Sequence, residues 1–367
     1  MDAIQSGLIL KIPCLGEGEI SEGHICNGQH GVYWRPPMNV LITGGAGFIG
    51  SHLAERCLRE QWNVSVLDDL STGAMANIAP LRAYQNFSFK FGSVFDSELV
   101  AELVDQCDLV VHLAAAVGVR LIIESPVRTI ETNVHGTEVV LRAAARKRKR
   151  VMLASTSEVY GKNEQFPSHE AADLVLGPST IGRWSYACSK LLDEFLGIAY
   201  WREKQVPVNV VRFFNTVGPR QTGQYGMVVP TFVRQALLGE PLTVFGSGKQ
   251  TRCFGYVGDV VEALIRLART ADVVGQVINI GNDEEISILQ LAQLVIELTG
   301  SDSDIQFVPY AEAYGPGFED TVRRVPSVAK LETLLGYRPR TSIRQVLRLV
   351  AEQMQPNFER REAESTT

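Results

Sequence analysis

The feature that most constrains this chain is a short apolar run, Asn39-Val40-Leu41-Ile42-Thr43, that passes directly into Gly44-Gly45-Ala46-Gly47-Phe48-Ile49-Gly50. A β-branched run, a glycine turn and a helix-forming stretch spell strand, turn and helix in that order. Glycines at 44, 47 and 50 permit a tight turn, close approach of backbone to a pyrophosphate, and close helix–strand packing, with the phosphates at the positive helix end. The next strand candidate, residues 64–68, ends in Asp68-Asp69 about 20 residues past the turn, where a carboxylate reaches ribose hydroxyls and repels a 2′-phosphate. NAD is therefore favoured over NADP. The plainer reading of the two aspartates is that they cap the loop at residues 70–73.

From Met38 onward, β-branched runs alternate with longer helical stretches, as a parallel sheet with crossover helices requires. The strand candidates are residues 39–43, 64–68, 87–91, 109–113, 151–155 and 208–213, with helices at 51–61, 98–106, 126–145 and 185–204. After Gly218 a series of prolines and glycines breaks the chain into short pieces. One more strand, 276–280, then returns to the sheet, and helices follow at 288–298 and 328–335. The expected fold is α/β: a Rossmann-type doubly wound parallel sheet with a smaller, discontinuous α/β substrate-binding region. Residues 38–218 plus 255–284 would form the NAD-binding domain, 219–254 plus 285–350 the substrate domain, and 351–367 a tail. Residues 1–37 read as a poorly ordered extension, and a start of translation at Met38 is the matching expectation.

Charge and cysteine usage exclude several functions. A formal net charge of −6 offers no general attraction to nucleic acid or an anionic membrane. The basic run Arg146-Lys147-Arg148-Lys149-Arg150 reads as a solvated helix end placed where the helix dipole favours cations. Cys14, Cys26, Cys57, Cys107, Cys188 and Cys253 show no metal-ligating spacing and read as reduced residues of a cytoplasmic protein. No apolar run approaches the roughly 18 residues that span a bilayer.

Tyr186 and Lys190 lie four residues apart, on one face of the helix expected at 185–204. A lysine cation beside a phenol favours phenolate, so Tyr186 can take a proton from a sugar hydroxyl while hydride moves to a nicotinamide. The strand ending in Ser155-Thr156-Ser157 adds weight to this pair.

In these segments the chain resembles the extended short-chain dehydrogenase/reductase family of nucleotide-sugar epimerases, dehydratases and decarboxylases, from about Met38 to Pro339. The resemblance is carried by Gly44 to Gly50, His112-Leu113-Ala114-Ala115, Thr132-Asn133, Ser155-Thr156-Ser157-Glu158-Val159-Tyr160-Gly161, Tyr186 with Lys190, and Arg212-Phe213-Phe214-Asn215-Thr216-Val217-Gly218-Pro219. It implies NAD contacts from Gly44, Gly47, Phe48, Ile49 and Gly50, from Asp68, Asp69, Ser71, Thr72 and Gly73, and from Ser93, Val94, Leu113, Ala114, Ala115 and Asn133. Ser93 stands where many members carry an acidic residue near the adenine. The same resemblance implies that Thr156 bonds the sugar 4-hydroxyl, Tyr186 is the base and Lys190 holds the nicotinamide ribose. Asn215 and Val229 would face the sugar nucleotide, Arg252 and Arg324 its phosphates. A homodimer through the helices at 126–145 and 185–204 is implied as well.

Residues beside the tyrosine bear on the reaction. Glucose-type 4,6-dehydratases carry Asp-Glu after the threonine, whereas this chain has Ser157-Glu158. Together with residues 239–254, Thr156 to Gly161 are most similar to the UDP-glucuronate decarboxylase branch, which forms UDP-xylose. There Glu158 and Arg252 would handle the carboxylate and the proton. Thr-Ser-Glu is also similar to GDP-mannose 4,6-dehydratases. Ala116 to Arg120 resembles UDP-glucuronate 4-epimerases, with Arg120 a candidate ligand for a sugar carboxylate. UDP-glucuronate or UDP-glucose 4-epimerisation thus stays open as an alternative. An NAD-sensing scaffold without turnover would be expected to have lost Thr156, Tyr186 or Lys190, and all three are present.

Overall fold

The computed structural model describes residues 37–223, 226–314 and 319–365. The extension expected at residues 1–37, with Cys14 and Cys26, lies outside the described residues apart from Pro37.

In the first half, buried apolar runs form β1 (Asn39–Thr43), β2 (Asn63–Asp68), β3 (Phe87–Phe91), β4 (Leu109–His112), β5 (Arg150–Thr156) and β6 (Val208–Phe213). Between them run α1 (Phe48–Arg59), α2 (Met75–Ile78), α3 (Ser97–Gln106), α4 (Val119–Glu124), α5 (Pro126–Lys147) and α6 (Trp184–Lys204). The second half begins with β7 (Thr216–Val217), α7 (Val228–Leu237), β8 (Leu242–Phe245), β9 (Thr251–Cys253), β10 (Gly255–Tyr256) and α8 (Val257–Arg269). It continues with β11 (Val277–Ile280), β12 (Glu285–Ser287), α9 (Ile288–Thr299), β13 (Ile305–Val308), α10 (Tyr310–Tyr314), α11 (Ala329–Leu335) and α12 (Ile343–Ser365).

Seven strands pair in parallel in the order β11-β6-β5-β4-β1-β2-β3. The direction of winding reverses between β1 and β4, where Thr43 sits opposite His112. That reversal opens a crevice at the carboxyl ends of the strands, the place where doubly wound sheets bind ligands.

One face of the sheet packs on α1 and α8, with Val40, Ile42, Leu53, Leu264 and Ile278 in a common core; the other packs on α3, α5 and α6 through Leu41, Val104, Val140 and Leu153. Burial of such side chains on both faces is worth roughly 1.5–3 kcal/mol each, which explains strands that read as continuous apolar runs. A separate core joins α7, α9 and α12 to β8 through Phe232, Leu242, Leu291 and Leu347. Three two-stranded pairs, β7 with β10, β9 with β12 and β8 with β13, tie this region together.

Several elements differ from the sequence expectation. The proline and glycine breaks after Gly218 hide α7 and α8, whose apolar faces fill the two cores. Helix α12 runs through residues 351–365, which the sequence leaves as a tail. The basic run does not end in solvent: Arg150 opens β5 and donates to the Leu267, Ala268 and Thr270 carbonyls at the end of α8, while Lys149 donates to the Cys107 carbonyl at 2.6 Å. Cations here satisfy helix-terminal carbonyls that have no partner within the helix. Among the described residues, no helix is long and apolar enough to cross a membrane.

Candidate functional site

The carboxyl ends of β1, β2, β4, β5 and β6 open into one cavity of about 1260 Å³. At its floor, Gly44 has φ +71°, and a Cβ there would lie 2.8 Å from the Ala114 nitrogen; a Cβ on Gly50 would lie 2.3 Å from the Gly44 carbonyl oxygen. Both glycines are required by the protein's own packing. Gly47 is different. A Cβ there would meet only the Gly44 oxygen at 3.1 Å, so the reason for glycine lies on the cavity side. Gly47 is the N-cap of α1 with no side-chain acceptor, and the first turn carries no acidic residue. The leading N–H groups at Phe48 and Ile49 thus face the cavity without a protein anion to satisfy them, which fits a pyrophosphate.

Asp68 and Asp69 show the loop-capping role weighed from the sequence, and both border the cavity. Asp68 accepts from the Ala46 N–H at 2.9 Å and the Leu70 N–H at 2.8 Å, fastening the end of β2 to the glycine turn. Burial raises its pKa against those two hydrogen bonds, which pull it down. Asp69 is exposed and accepts from the Ser71 N–H. Both aspartates line the cavity together with Ser71, Thr72, Ser93 and Val94. Gly73 does not. It packs against the back of the turn, where a Cβ would meet the Ala46 carbonyl carbon and an Asp68 oxygen at 3.0 Å.

Leu113, Ala114 and Ala115 form the wall beyond β4. Asn133, expected at the cofactor, stands behind that wall: its side-chain oxygen accepts from Ala116 N–H at 2.9 Å and its amide donates to Ser189 Oγ at 3.0 Å. It is fully buried and ties the wall to α6. His112 sits between Thr43 Oγ1 (2.7 Å) and Thr137 Oγ1 (3.3 Å). Burial, with the Lys190 charge, pushes it down to about 3, so it is neutral.

Thr156, at the end of β5, and Tyr186, in the first turn of α6, both line the cavity. Burial, then the Glu158 charge, raise the Tyr186 pKa; the nearby Thr156 hydroxyl opposes them. Lys190 has a partner on its own helix. Its ammonium pairs with Asp193 at 2.7 Å, and the two side chains are 3% and 0% exposed. Lys190 also lines the cavity.

Glu158 follows Thr156 in a single turn of 3-10 helix. Arg324 approaches its Oε1 at 3.4 Å and Arg183 its Oε2 at 3.9 Å. Burial alone would raise the pKa of Glu158, but Arg324 and then Arg183 overcome it and hold the group below the usual carboxylate range. Asp320 accepts from Arg183 and Arg252, each at 2.9 Å, and from the Tyr310 hydroxyl at 2.8 Å. Three guanidinium groups thus share two carboxylates on one side of the cavity, leaving a positive excess suited to an anionic ligand.

Asn215 and Val229 line the cavity between these groups. Asn215 has φ +28° and donates to the Cys253 carbonyl, clamping the two crossings into the second core. Arg120 lies on α4, and its side chain is outside the described residues. Sequence reasoning missed Arg183, Asp193, Tyr310 and Asp320. Arg183 is three residues before Tyr186 and Asp193 seven after it, so helical spacing carries a signal for both. Tyr310, which opens α10, and Asp320, from the loop before α11, arrive from distant parts of the sequence without one.

The NAD dependent epimerase/dehydratase family matches residues 40–281. A UDP-N-acetyl-alpha-D-glucosaminuronate decarboxylase of Bacillus cytotoxicus is 44% identical over 309 residues, 84% of this chain and 95% of that protein. UDP-glucuronic acid decarboxylase 1 of Danio rerio is 39% identical over 301 residues, 82% of this chain and 68% of its own length. Among solved structures, UDP-glucuronic acid 4-epimerase from Bacillus cereus, in complex with UDP-glucuronic acid and NAD, is similar with a TM-score of 0.79 at 28% identity, covering 87% of this chain and 100% of that one.

Proposed function

The chain belongs to the NAD dependent epimerase/dehydratase family, and from that premise we propose that it decarboxylates a UDP-linked hexuronate, converting UDP-glucuronate to UDP-xylose. The observation that carries this reading is the Thr156–Tyr186 hydroxyl pair in one cavity with the arginine-held Glu158. The glycine turn would hold NAD, which would supply the hydride acceptor for C4 of the sugar and the donor that restores it.

Tyr186 removes the proton of the C4 hydroxyl, and Thr156 orients that hydroxyl. Once C4 is a ketone, the carboxylate on C5 is β to it. The bond from C5 to the carboxyl breaks, carbon dioxide leaves, and the electron pair passes into an enolate whose charge rests on the C4 oxygen. Thr156 and the protonated Tyr186 donate to that oxygen as charge builds there. Glu158, kept ionised, opposes a second carboxylate beside it and so favours the movement of charge towards C4. A proton from solvent water returns to C5, at the end of the sugar that Glu158 and Arg252 flank. Arg183, Arg252 and Arg324 hold the anionic substrate in place.

Incubating the protein with NAD and UDP-glucuronate, and assaying carbon dioxide and UDP-xylose, tests the reading. Substrate recovered unchanged from both this and the 2-acetamido analogue would sink it; UDP-galacturonate as product would favour epimerisation. The analogue belongs in the test because the relative at 44% identity acts on the N-acetylated uronate, against 39% for the glucuronate enzyme. A higher kcat/KM for the analogue would make it the substrate.

We assign the protein to a homodimer through α5 and α6. Val127 (67%), Phe195 (66%), Leu192 (49%) and Ile130 (43%) remain exposed on these two packed helices, an apolar face that a second copy would cover. The free thiols at Cys57, Cys107, Cys188 and Cys253 support work in a reducing compartment, the cytoplasm.

A further inference from the structure

Tyr186, Lys190 and Asp193 are spaced i, i+4 and i+7, which stacks them along one face of α6. Asp193 is completely buried, and one of its oxygens holds the Lys190 ammonium at 2.7 Å. The Thr137 hydroxyl of α5 faces its other oxygen without closing a hydrogen bond of normal geometry. A carboxylate so placed is expensive to bury unless a cation answers it. The cation here is the lysine that the proton-transfer step depends on.

We propose that Asp193 is a positioning residue for the tyrosine–lysine pair: it anchors the Lys190 ammonium and sets the charge balance under which Tyr186 gives up its proton. Nothing in the proton-transfer step itself calls for a carboxylate at this place. Its effect is to fix the ammonium below the phenol while cancelling part of the positive charge that Lys190 presents to it.

The surrounding groups leave this role to Asp193. From the turn after β5, Glu158 faces Tyr186, but Arg324 and Arg183 already answer its charge. Arg252 and Arg183 share Asp320. Glu194, next to Asp193, is taken by Arg212 of β6 at 2.7 Å and by the Ser155 hydroxyl of β5. His112 of β4 is neutral, and α5 presents Thr137 and Asn133 to this part of α6 and its neighbours. Burial and Glu158 raise the Tyr186 pKa, and Asp193 adds to them in the same direction. Removing the Asp193 charge therefore favours the phenolate.

The inference rests on the proton-abstraction role given to Tyr186 above. Asp193→Asn keeps the shape and removes the charge. In the full-length protein with NAD, the acid limb of the turnover–pH profile should move down by about one pH unit or more. The phenolate absorbance, read as the difference from the Tyr186→Phe protein on the same Asp193 background, should move down by a similar amount. Asp193→Glu, with the charge kept, should leave both midpoints in place. If Asp193→Asn does not fold, Asp193→Ser carries the same expectation. A loss of activity with an unmoved profile, or a profile moved to higher pH, would overturn the proposal. The absorbance needs no turnover, so a failed assignment of the reaction and a failed role for Asp193 give different results.

Discussion

At the scale of single residues, the site is a set of charges balanced in a buried space. Tyr186→Phe removes the hydroxyl proposed to take a proton, so turnover should fall by roughly 10²–10⁴-fold or more, while calorimetry should show the UDP-sugar still binding. Glu158→Gln leaves Arg324 and Arg183 without their shared carboxylate. We expect C4 oxidation to persist and carbon dioxide release to slow by about 10²-fold, seen as NADH absorbance that builds up during turnover. His112 gives a pH signature of folding. Its ordinary value of 6.5 drops to about 3 in the folded protein. Between those values the unfolded chain binds a proton that the native chain refuses, so the stabilisation is whole above pH 6.5 and is lost as pH falls towards 3. Its share of the slope is about 1.4 kcal/mol per pH unit. His112→Gln should flatten urea-unfolding stability by about 1.4 kcal/mol per pH unit between about pH 6 and about pH 4.

At the scale of elements, the strand–turn–helix unit separates packing from binding. Gly50→Ala forces a Cβ onto the Gly44 carbonyl at 2.3 Å, an overpacking expected to cost about 1–3 kcal/mol of stability. Gly47→Ala meets only one oxygen at 3.1 Å, so its folding stability should change by less while NAD affinity drops. Denaturation and an NAD titration on the two variants should give opposite rank orders. This division was legible in part. The motif from Asn39 to Gly50 announced the unit, but which glycine serves the fold and which the ligand depends on atoms that only the folded turn brings near. Asn133 teaches the same lesson, since its place in the motif says nothing about whether it faces the cavity or the α6 side of the wall.

At the scale of the whole molecule, the apolar face of α5 and α6 asks for a partner. Phe195→Glu should shift the sedimentation behaviour towards monomer while leaving the far-UV helix signal unchanged; a dimer that persists would remove this face as the interface.

The strands of the parallel sheet and the position of the tyrosine–lysine pair follow from local patterns, because strand burial, glycine turns and helical spacing are short-range properties written in neighbouring residues; the order of the strands came from the tertiary structure. Pattern reading faltered after Gly218, where short strands and α7 gain their stability from a core assembled out of distant segments. Tertiary structure alone decided the arginine–carboxylate cluster. Glu158, Arg183, Arg252 and the Asp320–Arg324 segment come from four separate stretches of chain, and a charge interaction depends on distance in space, which no spacing between those stretches encodes.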